Sequence, residues 1–255
     1  MQAVILAAGK GTRMNNLTKN TPKPMLKIKG KPVLEYKIDA LPEEIKEIIF
    51  IVGYYGEQIM NHFKNNYKGR KITYVFQKKL NGTGGALHLA KGLLGEKFLV
   101  LNGDDLYHKQ DIKKMLKHEM SVLGFKVADP SRFGVIKTDK GGNFVEIIEN
   151  PKSAKYNLVN TGAYVLSKKF FDYGLVAKKA GDTEFGLPQA LAQMSKDNKI
   201  KIETARIWQP ISRPEDLEDA EKVLHKFGVK IEGISKKSTR KSKKIKPVKK
   251  KTKSR

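Results

Sequence analysis

The chain has 255 residues, with 51 Lys or Arg against 26 Asp or Glu, a formal net charge of +25 and no cysteine. That length suits one α/β domain with a sizeable core, or two small ones, and the missing cysteine excludes disulfides, cysteine–zinc centres and thiol nucleophiles. The positive balance fits a phosphate-rich ligand or a polyanion, and equally a merely soluble surface.

Met1 leads directly into residues 2–6, a β-branched and aliphatic run apolar on both faces, as a buried parallel strand is. No basic segment with a long apolar stretch and cleavage site precedes it, and no apolar run approaches the roughly 18 residues of a membrane span, so a cytoplasmic protein is expected. Residues 32–40 read as a helix with Pro32 in its first position and Val33, Leu34, Tyr36 and Ile38 inward. Residues 47–52 form a second buried strand closed by Gly53, and 56–63 a helix on the spacing of Ile59, Met60 and Phe63. A third strand at 71–76 and a helix at 84–94, with Leu87, Ala90 and Leu94 on one face, lead to a fourth strand at 97–101. That strand ends at Asn102-Gly103-Asp104-Asp105. The alternation predicts βαβ units in a doubly wound, mostly parallel, Rossmann-like α/β sheet covered on both faces.

After a helix at 109–118 the texture changes. Strands at 121–128, 133–138, 143–149 and 162–167 are separated by turns, with 138–143 a hairpin loop, and they predict a β-rich insertion. A helix at 184–197, a strand at 199–206 and a helix at 214–227 complete the domain, expected over 1–230. Residues 231–255 read as a basic tail. Twelve Lys or Arg and no Asp or Glu lie between 235 and 255, with too few apolar residues to fold alone. Such a tail serves equally as a solubilising terminus or as a weak polyanion contact of steep salt dependence. It has no aromatic residue to stack on bases.

Residues 3–26 read AVILAAGKGTRMNNLTKNTPKPML. The turn lacks the spacing of a Walker loop. The dinucleotide fingerprint fails too, because Met14 stands where its third glycine belongs and a loop runs on to Pro22 and Pro24. What remains is physical: small residues let backbone N–H groups approach an anion, while Lys10, Thr12, Arg13 and Lys23 supply donors and charge. Gly-Lys-Gly by itself is more often an ordinary turn with a surface lysine.

The longer pattern, Leu6-Ala7-Ala8-Gly9-Lys10-Gly11-Thr12-Arg13 and then Pro22-Lys23, resembles the signature of the sugar-1-phosphate nucleotidyltransferases, or NDP-sugar pyrophosphorylases. The resemblance continues in order to about Leu224. Gln77 and Gly82-Thr83-Gly84-Gly85 are similar to the family's base-contacting segment, and Asn102-Gly103-Asp104 to its metal-binding strand end. Arg132-Phe133-Gly134-Val135, Glu149-Asn150-Pro151 and Asn160-Thr161-Gly162 are similar to its sugar-pocket segments.

The resemblance implies that an NTP and a sugar 1-phosphate give an NDP-sugar and pyrophosphate. The sugar-phosphate oxygen is already ionised, so catalysis consists of bringing two polyanions together and absorbing charge. It implies nucleotide contacts from Leu6, Ala8, Gly9, Gly11, Thr12, Arg13, Lys23, Gln77, Gly82 and Thr83. Arg13 would hold the pyrophosphate, Lys23 would stand near the α-phosphate, and Asp104 would bind Mg²⁺. Gln77 offers a donor and an acceptor to a base edge, which suits uracil or thymine and hence UTP or dTTP. Gly134, Glu149 and Asn160 would bind the sugar, with glucose 1-phosphate the default acceptor.

Two positions depart from the pattern. Pro210 occupies the place of the second metal carboxylate, and Asn150 that of a phosphate-binding lysine, with Lys152 displaced and Arg213 a possible substitute charge. They motivate an alternative, a sugar-nucleotide-binding regulatory protein with impaired chemistry. The length leaves no place for a second, repeat-built domain, so acyltransferase-bearing relatives are not expected to match over their full length. An oligomer is compatible with everything above.

Overall fold

The computed structural model describes residues 1–149 and 156–228. Its central strands are β1 (Gln2–Ala7), β2 (Glu47–Val52), β3 (Arg70–Phe76) and β4 (Lys97–Asn102), of which β1, β2 and β4 are buried along most of their length and β3 only at Ile72. They run parallel in the order β4-β1-β2-β3, with Val4 opposite both Ile49 and Val100. Helices α1 (Val33–Ala40), α2 (Gly56–Phe63), α3 (Gly82–His88) and α4 (Lys109–Met115) connect and cover them. Alternation along β1 divides the core between the two faces. Ala3 and Ile5 pack with Leu34, Phe50, Phe63 and Ile112, whereas Val4 packs with Ile49, Leu87, Val100 and Leu191.

Beyond α4 the sheet turns antiparallel without becoming a separate body. A short strand β5 (Asp105–Tyr107) precedes α4, and β6 (Ser121–Lys126), β7 (Val135–Thr138), β8 (Phe144–Ile148), β9 (Leu158–Ser167), β10 (Lys201–Thr204), which pairs parallel with β6, and β11 (Trp208–Pro210) follow it in order. Residues Ala163–Ser167 of β9 pair antiparallel with β4, so the β-rich insertion extends the main sheet. On its other edge β9 pairs with β6, and its register shifts between Asn160 and Tyr164. Helix α5 (Leu187–Met194) covers β8, and α6 (Glu215–Val223) closes the chain over β11.

The expected alternation is present throughout, with local corrections. Pro32 caps α1 from outside, in extended geometry, because its ring and ψ of 141° set the entry rather than the first turn. The helix expected over 84–94 ends at His88 and continues as a separate 3₁₀ turn at Lys91–Leu93. The strand expected at 162–167 begins at Leu158, which draws Asn160 into the sheet. β5 and β11 are too short to show a period, and they pair only with each other, Pro210 opposite Asp105. The tail expected at 231–255 lies outside the described residues.

Candidate active site

The site forms at the carboxyl ends of β1, β3 and β4, where an open α/β sheet leaves its backbone ends free. A cavity of about 470 Å³ opens there. Its lining contains every residue assigned to the nucleotide, from Leu6, Ala8, Gly9, Gly11, Thr12 and Arg13 through Lys23 to Gln77, Gly82 and Thr83, together with Asp104.

The turn after β1 is held by local bonds. The Met14 N–H donates to the Gly11 carbonyl at 2.9 Å, and Thr18 Oγ1 donates to the same oxygen at 3.0 Å. Gly11 has φ +66°, and a Cβ there would stand 2.9 Å from Lys23 Cβ, so a side chain fits neither the backbone nor the space. Gly9, by contrast, faces open space. From outside, the Tyr54 hydroxyl donates to the carbonyls of Thr18 and Lys19, each at 3.0 Å, and anchors the far end of the loop. Lys23 lies between Pro22 and Pro24, is buried, and its Nζ donates to Asp104 Oδ2 at 2.5 Å. A residue of the first βα turn and one at the end of β4 are thus brought together.

Gln77 is buried, and its amide nitrogen is already engaged, donating to Asn81 Oδ1 at 3.0 Å and to the Gly82 carbonyl at 3.2 Å. The amide nitrogen is thus held within the protein, while Oε1 remains open to a partner. Gly82 has φ +91°, and a Cβ would approach the Phe185 carbonyl to 2.3 Å, so the protein itself requires the glycine. The segment that imposes this was not anticipated. Residues 177–185 form a bridge, Ala177 to Phe185, that docks on the start of α3. The Gly84 N–H donates to the Phe185 carbonyl at 2.9 Å, and the Leu187 N–H donates to Thr83 Oγ1 at 3.1 Å. This segment delivers Lys178 and Glu184, paired at 2.5 Å, to the cavity wall. No motif marks either residue; only the pairing of distant loops places them.

The three sugar candidates do not line this cavity, but they cluster beside one another. The Asn160 N–H donates to the Gly134 carbonyl at 2.8 Å, and a Cβ on Gly134 would stand 3.1 Å from Glu149 Oε1. Asn160 Nδ2 donates to the Tyr164 hydroxyl at 2.7 Å. Asn150 and Lys152 lie outside the described residues. Arg213 is exposed and absent from the cavity wall. Its backbone N–H donates to Asp216 Oδ2 at 2.9 Å.

Beneath Asp104 sits a buried polar group. Lys37 of α1 donates to the Asp105 carbonyl, and the Tyr107 hydroxyl donates to the Thr161 carbonyl at 2.7 Å. Burial pushes Lys37 down to about 8, against the pull of the Asp105 and Asp104 charges. Burial, with the Asp104 charge next, pushes Asp105 up. The Asp105 side chain is buried against Tyr107 and does not line the cavity, as Asp104 does. Pro210 stands in register with Asp105 and offers no donor, and the Ile211 N–H donates to the Asp104 carbonyl at 3.1 Å. Among the described residues no group of three or more His, Cys, Asp or Glu could hold a metal. One partly exposed carboxylate still fits Mg²⁺, which keeps several waters and is bound by one or two carboxylates plus substrate phosphates.

A family model described as nucleotidyl transferase matches residues 2–226. The bifunctional protein GlmU of Methanocaldococcus jannaschii is 37% identical over 235 residues, covering 91% of this chain and 57% of that protein. The UTP–glucose-1-phosphate uridylyltransferase AglF of Haloferax volcanii is 32% identical over 235 residues, covering 88% of this chain and 96% of AglF. A Bacillus anthracis crystal structure, assigned as a glucose-1-phosphate thymidylyltransferase and solved with sucrose, superposes with a TM-score of 0.78. It is 25% identical, with 88% of this chain and 94% of that one covered. The chain spans little more than half the length of the GlmU relatives it matches.

Proposed function

The chain belongs to the nucleotidyl transferase family of sugar-1-phosphate nucleotidyltransferases, and on that premise we propose that it transfers a nucleotidyl group from UTP or dTTP to a hexose 1-phosphate. Glucose 1-phosphate is the first acceptor to test, as the name of AglF supports. The observation that carries this is the Lys23–Asp104 pair on the wall of a cavity that the glycine turn and Gln77 also line.

In the proposed reaction an oxygen of the sugar phosphate forms a bond to the α-phosphorus. The bond from that phosphorus to the β-phosphate bridging oxygen breaks, and pyrophosphate leaves with the electron pair. Backbone N–H groups of residues 9–12 receive the phosphates, with Gly9 admitting close approach. Arg13, an exposed fork on the cavity wall, holds the leaving pyrophosphate. Lys23 stabilises charge on the equatorial oxygens, already placed by its two prolines and by Asp104. When bound through Asp104, Mg²⁺ supplies neutralisation of phosphate charge. Gln77 Oε1 accepts from N3–H of uracil or thymine, a donor that cytosine N3 and adenine N1 do not offer. Gly134, Glu149 and Asn160 hold the sugar hydroxyls. No helix among the described residues is long and apolar enough to cross a membrane, and we place the reaction in the cytoplasm.

The test is pyrophosphate release from a matrix of UTP, dTTP, CTP, ATP and GTP against glucose, N-acetylglucosamine and other sugar 1-phosphates with Mg²⁺. Turnover that is highest with a uracil or thymine nucleotide is expected. Tight NDP-sugar binding with no turnover for any pair would establish the regulatory alternative that Pro210 motivates.

A further inference from the structure

Lys37 is a fully buried ammonium that the proposed chemistry does not touch. It lies in the middle of α1, among Val33, Leu34, Tyr36 and Ile38, where a helix packed on a sheet would ordinarily carry an apolar side chain. Burying such a charge costs several kcal/mol unless it is paired and hydrogen-bonded. Its partners are all at the end of β4 and in β5. Nζ donates to the Asp105 carbonyl and stands 4.4 Å from the centroid of the Tyr107 ring, and the Asp105 and Asp104 carboxylates offset its burial. Tyr107 in turn is tied to Asp105 Oδ2 at 3.3 Å and to the Thr161 carbonyl of β9 at 2.7 Å.

The turn that carries Asp104 is gripped on every side. The Gly103 N–H donates to the Leu6 carbonyl at 2.9 Å, and a Cβ on Gly103 would stand 2.6 Å from that oxygen. The Ile211 N–H holds the Asp104 carbonyl at 3.1 Å. Lys37 holds the next carbonyl along, that of Asp105, from beneath. Among the described residues the cavity wall carries two carboxylates, Asp104 at the end of β4 and Glu184, which is paired with Lys178, while Pro210 stands in register with Asp105.

We infer that Lys37 is a positioning residue for the Asp104 carboxylate: its buried ammonium fixes the 103–105 turn through the Asp105 carbonyl, so that the Asp104 side chain is held at the cavity wall. This rests on Asp104 being the cation ligand of the proposed reaction.

The test uses the full chain, the single variant Lys37→Met and the double variant Lys37→Met/Asp105→Asn, which removes the buried ammonium together with the buried carboxyl group near it. Three quantities are read: melting temperature, Mn²⁺ affinity by EPR in the presence of a non-hydrolysable UTP analogue, and kcat against Mg²⁺ concentration. The single variant is expected to lose melting temperature, because it leaves the Asp105 carbonyl without the Lys37 donor. The double variant is expected to have Mn²⁺ affinity and kcat both at least tenfold below the parent chain. A double variant with parental Mn²⁺ affinity and kcat overturns the inference and leaves Lys37 a structural residue, even if the single variant does not fold. Asp104→Asn separates the premise from the inference. If that change leaves Mn²⁺ affinity intact, the cation ligand is elsewhere and both fail, without recourse to either Lys37 variant.

Discussion

The nucleotide side and the sugar side of the site are built by different means. On the nucleotide side, parallel strands end together, and each contributes one short stretch: residues 6–13 and 23 after β1, residues 77–83 after β3, and Asp104 after β4. Bonds within each stretch hold it, as Met14 and Thr18 hold the Gly11 carbonyl. On the sugar side, Gly134, Glu149 and Asn160 come from three antiparallel segments joined only by register, with Val135 opposite both Ile148 and Val159. A βα turn can concentrate a binding surface in consecutive residues, whereas an antiparallel surface is spread over strands whose faces exchange on a one-residue slip. In the proposed reaction the charged chemistry would fall on the first side and the recognition of neutral hydroxyls on the second.

Substitutions should separate the two sides. The largest effect is expected from Lys23→Met, which keeps the buried stem and removes the charge. By analogy with a lost oxyanion donor, kcat should fall about 10²- to 10³-fold, read by pyrophosphate release, with KM for the sugar phosphate changed far less. Gly11→Ala comes next. The left-handed backbone should cost about 1–2 kcal/mol, and the contact with Lys23 Cβ adds to it, so a drop in urea midpoint and a weaker NTP affinity by calorimetry are both expected. Asn160→Ala is expected to act on the other side alone. Losing roughly one hydrogen bond, about 1 kcal/mol, corresponds to roughly a fivefold rise in KM for the sugar phosphate. A comparable rise in KM for the NTP would show that the two sides are not separable.

The smallest effect concerns the scaffold under the nucleotide side. Asp39 at the end of α1 is raised by its burial, but hydrogen bonds from Lys31 and Lys68 outweigh that and hold it below the ordinary value of 3.8. Its contribution to stability is therefore full above the unfolded value and lost as pH falls through the lower folded value. The urea midpoints of the parent chain and Asp39→Asn should differ at pH 6 and converge below pH 3.8. A difference that persists in acid would mean that the loss is one of packing rather than of charge.

The amino-acid sequence by itself determined the alternation of strands and helices and the place of the glycine turn, because both are local. Residues 2–6 and 47–52 are apolar on both faces, which only a covered parallel strand can use, and residues 6–13 carry their small and cationic members in one unbroken run. The antiparallel half was legible as strands, but the start of β9 and the short pair β5–β11 were not, since three residues show no period. Only the tertiary structure decided what meets across long separations. Lys23 reaches Asp104 over 81 positions, Phe185 dictates the glycine at 82, and the 177–185 segment brings Lys178 and Glu184 to the cavity. Lys37 shows the limit most plainly. Helical spacing takes its apolar neighbours inward and gives no reason to bury an ammonium. That reason, the Asp105 carbonyl and the Tyr107 ring, exists only once β5 is folded against α1.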